Sequence, residues 1–256
     1  MASVSIIIPA YNEETRLPAT LETILDYLRH SSQWAEWELL VVDDGSRDGT
    51  TGVTEHFHAQ DSRIRLLKNP GNRGKGYSVR HGMLAGRFEW VLFSDADLST
   101  PIEELDRLHG ACIERNCEIA IASRAIDRSL IEAHQSMIRE MGGRGMNLLM
   151  RLIVGLRVAD TQCGFKLFRR DAAQAVFSRQ TIEGFGFDPE LLYIAQKLGY
   201  RFCEIPARWK HVDGTKVRII QDSLRMVGDF VRIRLNDLAG RYRSASALPQ
   251  DSELRQ

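Results

Sequence analysis

The chain has 256 residues, enough for one large domain or a domain with an appendage, and its 43% hydrophobic and 27% charged content is that of a soluble globular protein. Lys+Arg and Asp+Glu balance at 34 each, which removes any global case for a nucleic-acid binder; only Arg208 to Arg243 is locally basic, with nine Lys/Arg against four Asp. Four sparse cysteines, Cys112, Cys117, Cys163 and Cys203, lack the paired short spacings of a zinc site and fit a reducing compartment.

The opening MASVSIIIPA has no basic start and too short an apolar run for a signal peptide. Strands are predicted over Val4–Ile8, Glu38–Val42, Ile64–Leu67, Trp90–Phe93 and Glu118–Ala122. Between them, Leu17, Leu21, Ile24, Leu25 and Leu28 form a helical stripe, and Gly76–Leu84 and Ile102–Ile113 are further helices. Residues 136 to 154 predict a helix carrying Arg139, Arg144 and Arg151. Asp160 to Phe168 is a polar turn leading into a short strand, followed by a helix over Pro189–Leu198 and a strand over Phe202–Pro206. A long amphipathic stretch, Ile219–Leu235, comes next, and the tail from Ser244 is polar. The longest apolar segment, Met146 to Val158, is broken by Arg151 and Arg157 and is too short to cross a bilayer.

Strands alternating with helices imply right-handed crossovers and an α/β fold with a mainly parallel, doubly wound sheet and helices on both faces. Ligands of such sheets bind beyond the carboxyl ends of the strands. Four unusual polar clusters fall at those ends: Pro9-Ala10-Tyr11-Asn12-Glu13, Asp43-Asp44-Gly45-Ser46, Asn69 to Gly76, and Asp95 to Ser99.

Asp95-Ala96-Asp97 puts two like charges where an apolar strand ends, either as a polar loop before a helix beginning at Ser99–Pro101 or as a divalent-cation site. Asp43-Asp44 is either a turn before a capped helix or a carboxylate acceptor for a nucleobase N–H or ribose hydroxyl. The segment NPGNRGKGYS (69–78) fails both phosphate-loop glycine spacings, yet Arg73, Lys75 and free N–H groups at a helix start suit an anion. His56 and His58, two apart on a helix, lie on different faces and are not expected to share a metal. The Ile219–Leu235 face either packs into the core or rests on anionic lipid.

Taken together, Pro9–Glu13, Val41–Ser46, Gly74-Lys75-Gly76, Asp95-Ala96-Asp97 and Ser123-Arg124 resemble the family 2 (GT-A fold) glycosyltransferases. DTQCGFKLF (160–168) and FDPELLYIAQ (187–196) resemble its dolichyl-phosphate β-glucosyltransferase branch and, less closely, the dolichyl-phosphate mannose synthases. The resemblance spans roughly residues 3 to 243 and departs from the eukaryotic glucosyltransferases in starting without an N-terminal membrane anchor.

The expected organisation is a catalytic domain over 1–210, an amphipathic helical segment over 211–243 that packs into the core or faces a membrane, and, from its polarity, a disordered tail over 244–256. The resemblance implies an inverting transfer of glucose from UDP-glucose to a polyprenyl (dolichyl-type) phosphate, by a cytoplasmic protein peripheral on the cytosolic membrane face. Pro9, Tyr11, Glu13, Asp43, Asp44, Lys75 and Asp95 are the expected donor-binding residues. Asp97, with Asp95, is the expected ligand of Mg²⁺ or Mn²⁺, whose hard-oxygen preference the carboxylates meet. Asp188 joins them as a catalytic candidate, orienting donor hydroxyls or acting as a base. Arg124, Arg139 and Arg144 are the expected holders of the acceptor phosphate, which as an anion needs no base. Gln162 and Lys166 belong to the resemblance without a role of their own. Three alternatives stay open: a GDP-mannose donor, a soluble hydroxyl acceptor, and a nucleotide-sugar binding module without catalysis.

Overall fold

The central strands carry apolar side chains on both faces, and this buries the sheet between two helical layers. In β1 (Ala2–Ala10), Ile6 and Ile8 enter one core while Ile7 enters the other; in β2 (Trp34–Asp43), Leu39 and Val41 part from Leu40 and Val42 in the same way. Strands covered on both faces read as continuous apolar runs, which is why they were legible. The computed structural model describes residues 2–133, 137–212 and 219–243, with side chains described except at 132–144 and 213–224.

One core lies under α1 (Leu17–His30), α2 (Thr50–Gln60) and α4 (Glu104–Arg115). The predicted stripe Leu17, Leu21, Ile24, Leu25 and Leu28 is buried there. The second core lies under α3 (Lys75–Ala85), α5 (Met137–Val154), α6 (Arg170–Phe177), α7 (Phe187–Lys197) and α8 (Ile219–Leu238). The remaining strands are β3 (Ile64–Lys68), β4 (Trp90–Ser94), β5 (Ile119–Ser123), β6 (Ile131–Ala133), β7 (Phe165–Arg169), β8 (Phe202–Pro206) and β9 (Trp209–Lys210). The seven-stranded order is β3-β2-β1-β4-β7-β5-β8, while β6 and β9 pair apart as a small second sheet.

Every neighbour pair in the large sheet is parallel except those of β7, which runs antiparallel to both β4 and β5. The expected mainly parallel, doubly wound sheet is therefore the one observed, with one reversed strand. That reversal positions the site. Phe165 at the start of β7 lies opposite Ser94 at the end of β4, so the loop entering β7 reaches the edge where the parallel strands end.

Three local expectations are corrected. The helix after Asp97 begins at Glu104 rather than at Ser99–Pro101, because Leu98 takes a left-handed φ of 46° and a turn intervenes. Helix α6 and the β6–β9 pair have no counterpart in the sequence reading because both are short; the apolar stripe of α6, Ala172, Ala173, Val176 and Phe177, spans only about two turns. The sparse cysteines were expected to fit a reducing compartment; against that expectation Cys117 and Cys203, 86 residues apart, are joined as a disulfide where β5 and β8 are neighbours.

Helix α8 buries Met226, Phe230 and Ile233 in the second core, so core packing describes its inner face. Its outer face leaves Val231, Leu235 and Leu238 exposed, and Leu148 and Leu152 of the neighbouring α5 are exposed as well. Among the described residues no helix is long and apolar enough to cross a membrane. Residues 244–256, the expected tail, lie outside the described residues.

Candidate active site

The order β3-β2-β1-β4, all parallel, sets the four polar clusters side by side along one sheet edge. The first two are stitched together. Asn12, at a left-handed φ of 52°, donates its backbone N–H to Ser46 and accepts from the Arg47 N–H, while the Glu13 N–H donates to Thr50 Oγ1. The Glu13 carboxylate pairs with Arg16, and its carbonyl accepts the first N–H groups of α1. Glu13 thus holds the loop that carries Tyr11, while Pro9 lies within β1 opposite Val42.

Asp43 and Asp44 are both buried, and both organise loops. Asp43 accepts from the Ser46 N–H and the Thr51 hydroxyl. Asp44 accepts from Asn69 Nδ2 at 2.8 Å, the Arg73 N–H at 2.9 Å and the Gly74 N–H at 2.8 Å, which folds the basic loop back over the end of β2. A carboxylate has about four lone-pair sites, so both keep acceptor capacity. Their observed work is to shape the cleft.

The folded loop delivers Lys75, at the start of α3, to Asp95, with Nζ 2.6 Å from Oδ1. Burial pulls the Lys75 ammonium toward neutrality, but the charges of Asp95, Asp188 and Asp97 outweigh it, and its pKa ends above the ordinary lysine value. Asp97 accepts the Ser99 N–H through Oδ1, so the turn-forming alternative is realised along with the clustering of charge. The segment before α7 closes over the same loop: the Tyr77 N–H donates to the Glu183 carbonyl, and Glu183 pairs with Arg73 and Arg80. A Cβ on Gly76 would lie 2.7 Å from the Ile182 carbonyl oxygen, so only glycine permits this approach.

The reversed strand completes the site. The Asp95 N–H donates to the Gly164 carbonyl at 3.1 Å, and a Cβ on Gly164 would overlap the Asp95 carboxylate. The missing side chain leaves the space that carboxylate occupies. Asp188, in the first turn of α7, accepts from Lys166 of β7. Its burial pushes the carboxyl pKa up, opposed by Lys166 and Lys75 and aided by Asp95.

Next to this cluster, Arg124 follows the end of β5 and forks onto Asp160, Nε to Oδ2 at 2.6 Å and Nη2 to Oδ1 at 2.8 Å. Burial works against both charges, yet the pairing raises the Arg124 pKa and lowers that of Asp160 to about 2. Glu204 of β8 fixes this loop by accepting the N–H groups of Ala159 and Asp160. The loop of residues 160–164 links this corner to the carboxylate pair, with Asp160 holding Arg124 at one end and the Gly164 carbonyl accepting the Asp95 N–H at the other. Arg139 and Arg144 lie in the first half of α5, and their side chains are outside the described ones.

The donor set suits a hard divalent cation. Asp95 and Asp97 supply carboxylate oxygens, and a Mg²⁺-type ion takes only one or two carboxylates from protein when a phosphate completes its shell. Among the described residues, the one cluster of three metal-ligating groups is elsewhere: Cys112, Cys117 and Cys203, two of them tied in the disulfide.

Sequence reasoning gave no individual role to Gly164, Asn69 or Lys166. Lys166 did carry a signal, as a lone cation within the otherwise apolar Phe165-Lys166-Leu167-Phe168 strand. Gly164 carried none, since its importance is a spatial approach to Asp95.

The chain is similar over most of its length to proteins of known family and fold. The sequence profile described as glycosyl transferase family 2 matches residues 5–177. The dolichyl-phosphate beta-glucosyltransferase of Dictyostelium discoideum is 37% identical over 253 residues, covering 95% of this chain and 77% of its own. That of Homo sapiens is 34% identical over 250 residues, covering 94% and 77%. Among solved structures, glucosyl-3-phosphoglycerate synthase from Mycobacterium tuberculosis, in complex with Mn²⁺, UDP and glucosyl-3-phosphoglycerate, superposes with a TM-score of 0.66 at 17% identity, covering 91% of this chain and 80% of its own. Mannosyl-3-phosphoglycerate synthase from Rubrobacter xylanophilus gives 0.66 at 18%, covering 98% and 79%. The fold is thus of the GT-A type.

Proposed function

The chain belongs to glycosyl transferase family 2 and is a nucleotide-sugar-dependent glycosyltransferase; from that premise we propose that it moves glucose from UDP-glucose to a polyprenyl phosphate on the cytosolic face of a membrane. The observation that carries the proposal is the continuity of two charged corners. Lys75 and Asp95 meet at 2.6 Å on one side, and the 160–164 loop that binds the Asp95 N–H through the Gly164 carbonyl carries Asp160, onto which Arg124 forks, on the other.

The nucleoside belongs along the ends of β1 to β3, where Pro9, Tyr11, Glu13, Asp43 and Asp44 lie. The diphosphate belongs between Lys75 and the Asp95/Asp97 pair. Those two carboxylates would hold Mg²⁺ or Mn²⁺, which supplies charge neutralisation to a departing diphosphate. Lys75 would turn from Asp95 to a diphosphate oxygen, an exchange of one charge-assisted contact for another. Asp188 orients hydroxyls of the donor sugar. The acceptor needs no general base, since a phosphate monoester with a second pKa of about 6 is already an anion near neutrality. Arg124 keeps Nη1 for it, and Arg139 and Arg144 of α5 are the further proposed contacts. In-line attack opposite the diphosphate inverts the anomeric carbon.

The lipid chain of the acceptor requires a surface to rest on. Val231, Leu235 and Leu238 are exposed apolar residues of α8, Leu148 and Leu152 are exposed on α5, which packs against it, and Arg232 is exposed on α8 as well, the mix an interfacial helix requires. Calorimetry with UDP and GDP in the presence of Mn²⁺ tests the donor. UDP is expected to bind more tightly; tighter GDP binding would move the reading to mannosyl transfer.

A further inference from the structure

Strand β7 carries a cation in the middle of the sheet. Lys166 lies opposite Phe93 of β4 and Ile121 of β5, and its side chain is 0% exposed. An ammonium withdrawn from water persists only where opposite charge and hydrogen bonds replace its hydration. Two groups do so: the Cys163 carbonyl accepts from Nζ at 2.6 Å, and Asp188 accepts through Oδ1. The Phe93 ring face, 5.1 Å from Nζ, adds a weaker attraction.

Sealed in this way, Lys166 cannot reach a bound donor. Asp188 can. Its side chain retains 6% exposure, and Oδ2 has no hydrogen-bond partner among the described residues, so Lys166 occupies one oxygen and leaves the other. The backbone places Asp188 beside the proposed diphosphate site: Gly76, next to Lys75, packs against Phe187, and the Cys163 carbonyl that Lys166 holds adjoins Gly164, whose carbonyl accepts the Asp95 N–H. The free oxygen therefore borders the place where the sugar of a nucleotide sugar begins. A carboxylate oxygen with no cation of its own there is an acceptor for a hydroxyl.

We infer that Lys166 is a positioning residue for glycosyl transfer: by gripping Asp188 Oδ1 from behind, it presents Oδ2 to one hydroxyl of the donor hexose. The antiparallel insertion of β7 serves this directly, since it sets Lys166 behind α7 while the same strand's entry loop shapes Asp95. The inference rests on the proposed occupancy of the cleft by a nucleotide sugar. It goes beyond that proposal in assigning hexose recognition to a pair of which only one member touches substrate.

The test is a cycle of Lys166→Met, Asp188→Asn and the double variant. UDP, which lacks the hexose, should bind all three within about threefold of wild type, while kcat/KM for the nucleotide sugar falls about thirtyfold or more in each single variant. Because the two residues act as one unit, the double variant should be no worse than either single one. A panel of donors each lacking one hydroxyl supplies a readout that mere structural damage would not move. The deletion most harmful to wild type should cost Lys166→Met and Asp188→Asn nothing further.

Equal loss of UDP binding in Lys166→Met, or multiplicative losses in the double variant, would overturn the inference. Should Lys166→Met fail to fold, the charge-balanced double variant is compared with Asp188→Asn alone. Equal turnover then supports the inference, and a further drop overturns it. If wild type itself prefers another nucleotide sugar, the substrate assignment fails there, and the same cycle run with that donor and its own nucleoside diphosphate still decides the role of Lys166.

Discussion

Gly164→Ala adds one methyl group and no charge, yet the geometry predicts a selective loss of catalysis. The new Cβ would lie 2.7 Å from Asp95 Oδ1 and nearer still to Cγ and Oδ2, so the carboxylate must rotate away. Gly164 does not take a left-handed φ, so the backbone tolerates alanine and the conflict is confined to Asp95. Rotation breaks the 2.6 Å contact with Lys75, a charge-assisted bond of about 1.5–3 kcal/mol, and removes one of the two carboxylates offered to the cation. Loss of one preorganised electrostatic group commonly costs ~10²–10³ in kcat. An off-rotamer side chain costs only about 0.5–1.5 kcal/mol of stability, or a few degrees in Tm. The assay is transfer measured against Mn²⁺ concentration, with Tm followed in parallel. Turnover should fall about a hundredfold or more, with half-saturation moved to higher Mn²⁺ and Tm nearly kept. Wild-type turnover at wild-type Mn²⁺ would refute the placing of Asp95 at the cation.

Asp44→Asn removes the charge that gathers three N–H donors of the basic loop. UDP affinity should fall about tenfold by calorimetry, and unchanged affinity would show that the loop holds without it. Asp160 titrates at about 2 in the folded protein, below its unfolded value of roughly 3.9, so its stabilisation of ~2 kcal/mol is present above pH ~4 and is lost as pH falls toward 2. The stability gap between wild type and Asp160→Asn should narrow across that window, and a gap independent of pH would contradict the pairing with Arg124. Arg139→Ala should cost about tenfold to a hundredfold in acceptor-dependent turnover while leaving UDP affinity unchanged; an equal loss in UDP binding would place Arg139 at the donor instead.

Most of the sheet was legible because its strands are buried on both faces. Ile6-Ile7-Ile8 and Trp90-Val91-Leu92-Phe93 leave no other reading, and the clusters at their ends marked the site before any geometry was known. The direction of β7 was not legible. Local pattern does not distinguish parallel from antiparallel pairing in a five-residue strand, and it was this reversal that brought Gly164 and Lys166 to Asp95 and Asp188. The Asp43-Asp44 pair was visible as chemistry, but its observed work, holding the Ser46 turn and the Arg73-Gly74 loop, depends on contacts across strands. The Cys117–Cys203 link arises likewise from the adjacency of β5 and β8.

The central claim is that a phosphate, already an anion, receives the sugar without a general base. Radiolabelled UDP-glucose incubated with Mn²⁺ and either a short polyprenyl phosphate or the corresponding free polyprenol, followed by organic extraction, tests it most directly. Label should enter the organic phase with the phosphate only and should vanish with excess EDTA. Equal labelling of free polyprenol would contradict the base-free account and make Asp188 the first residue to test as the base.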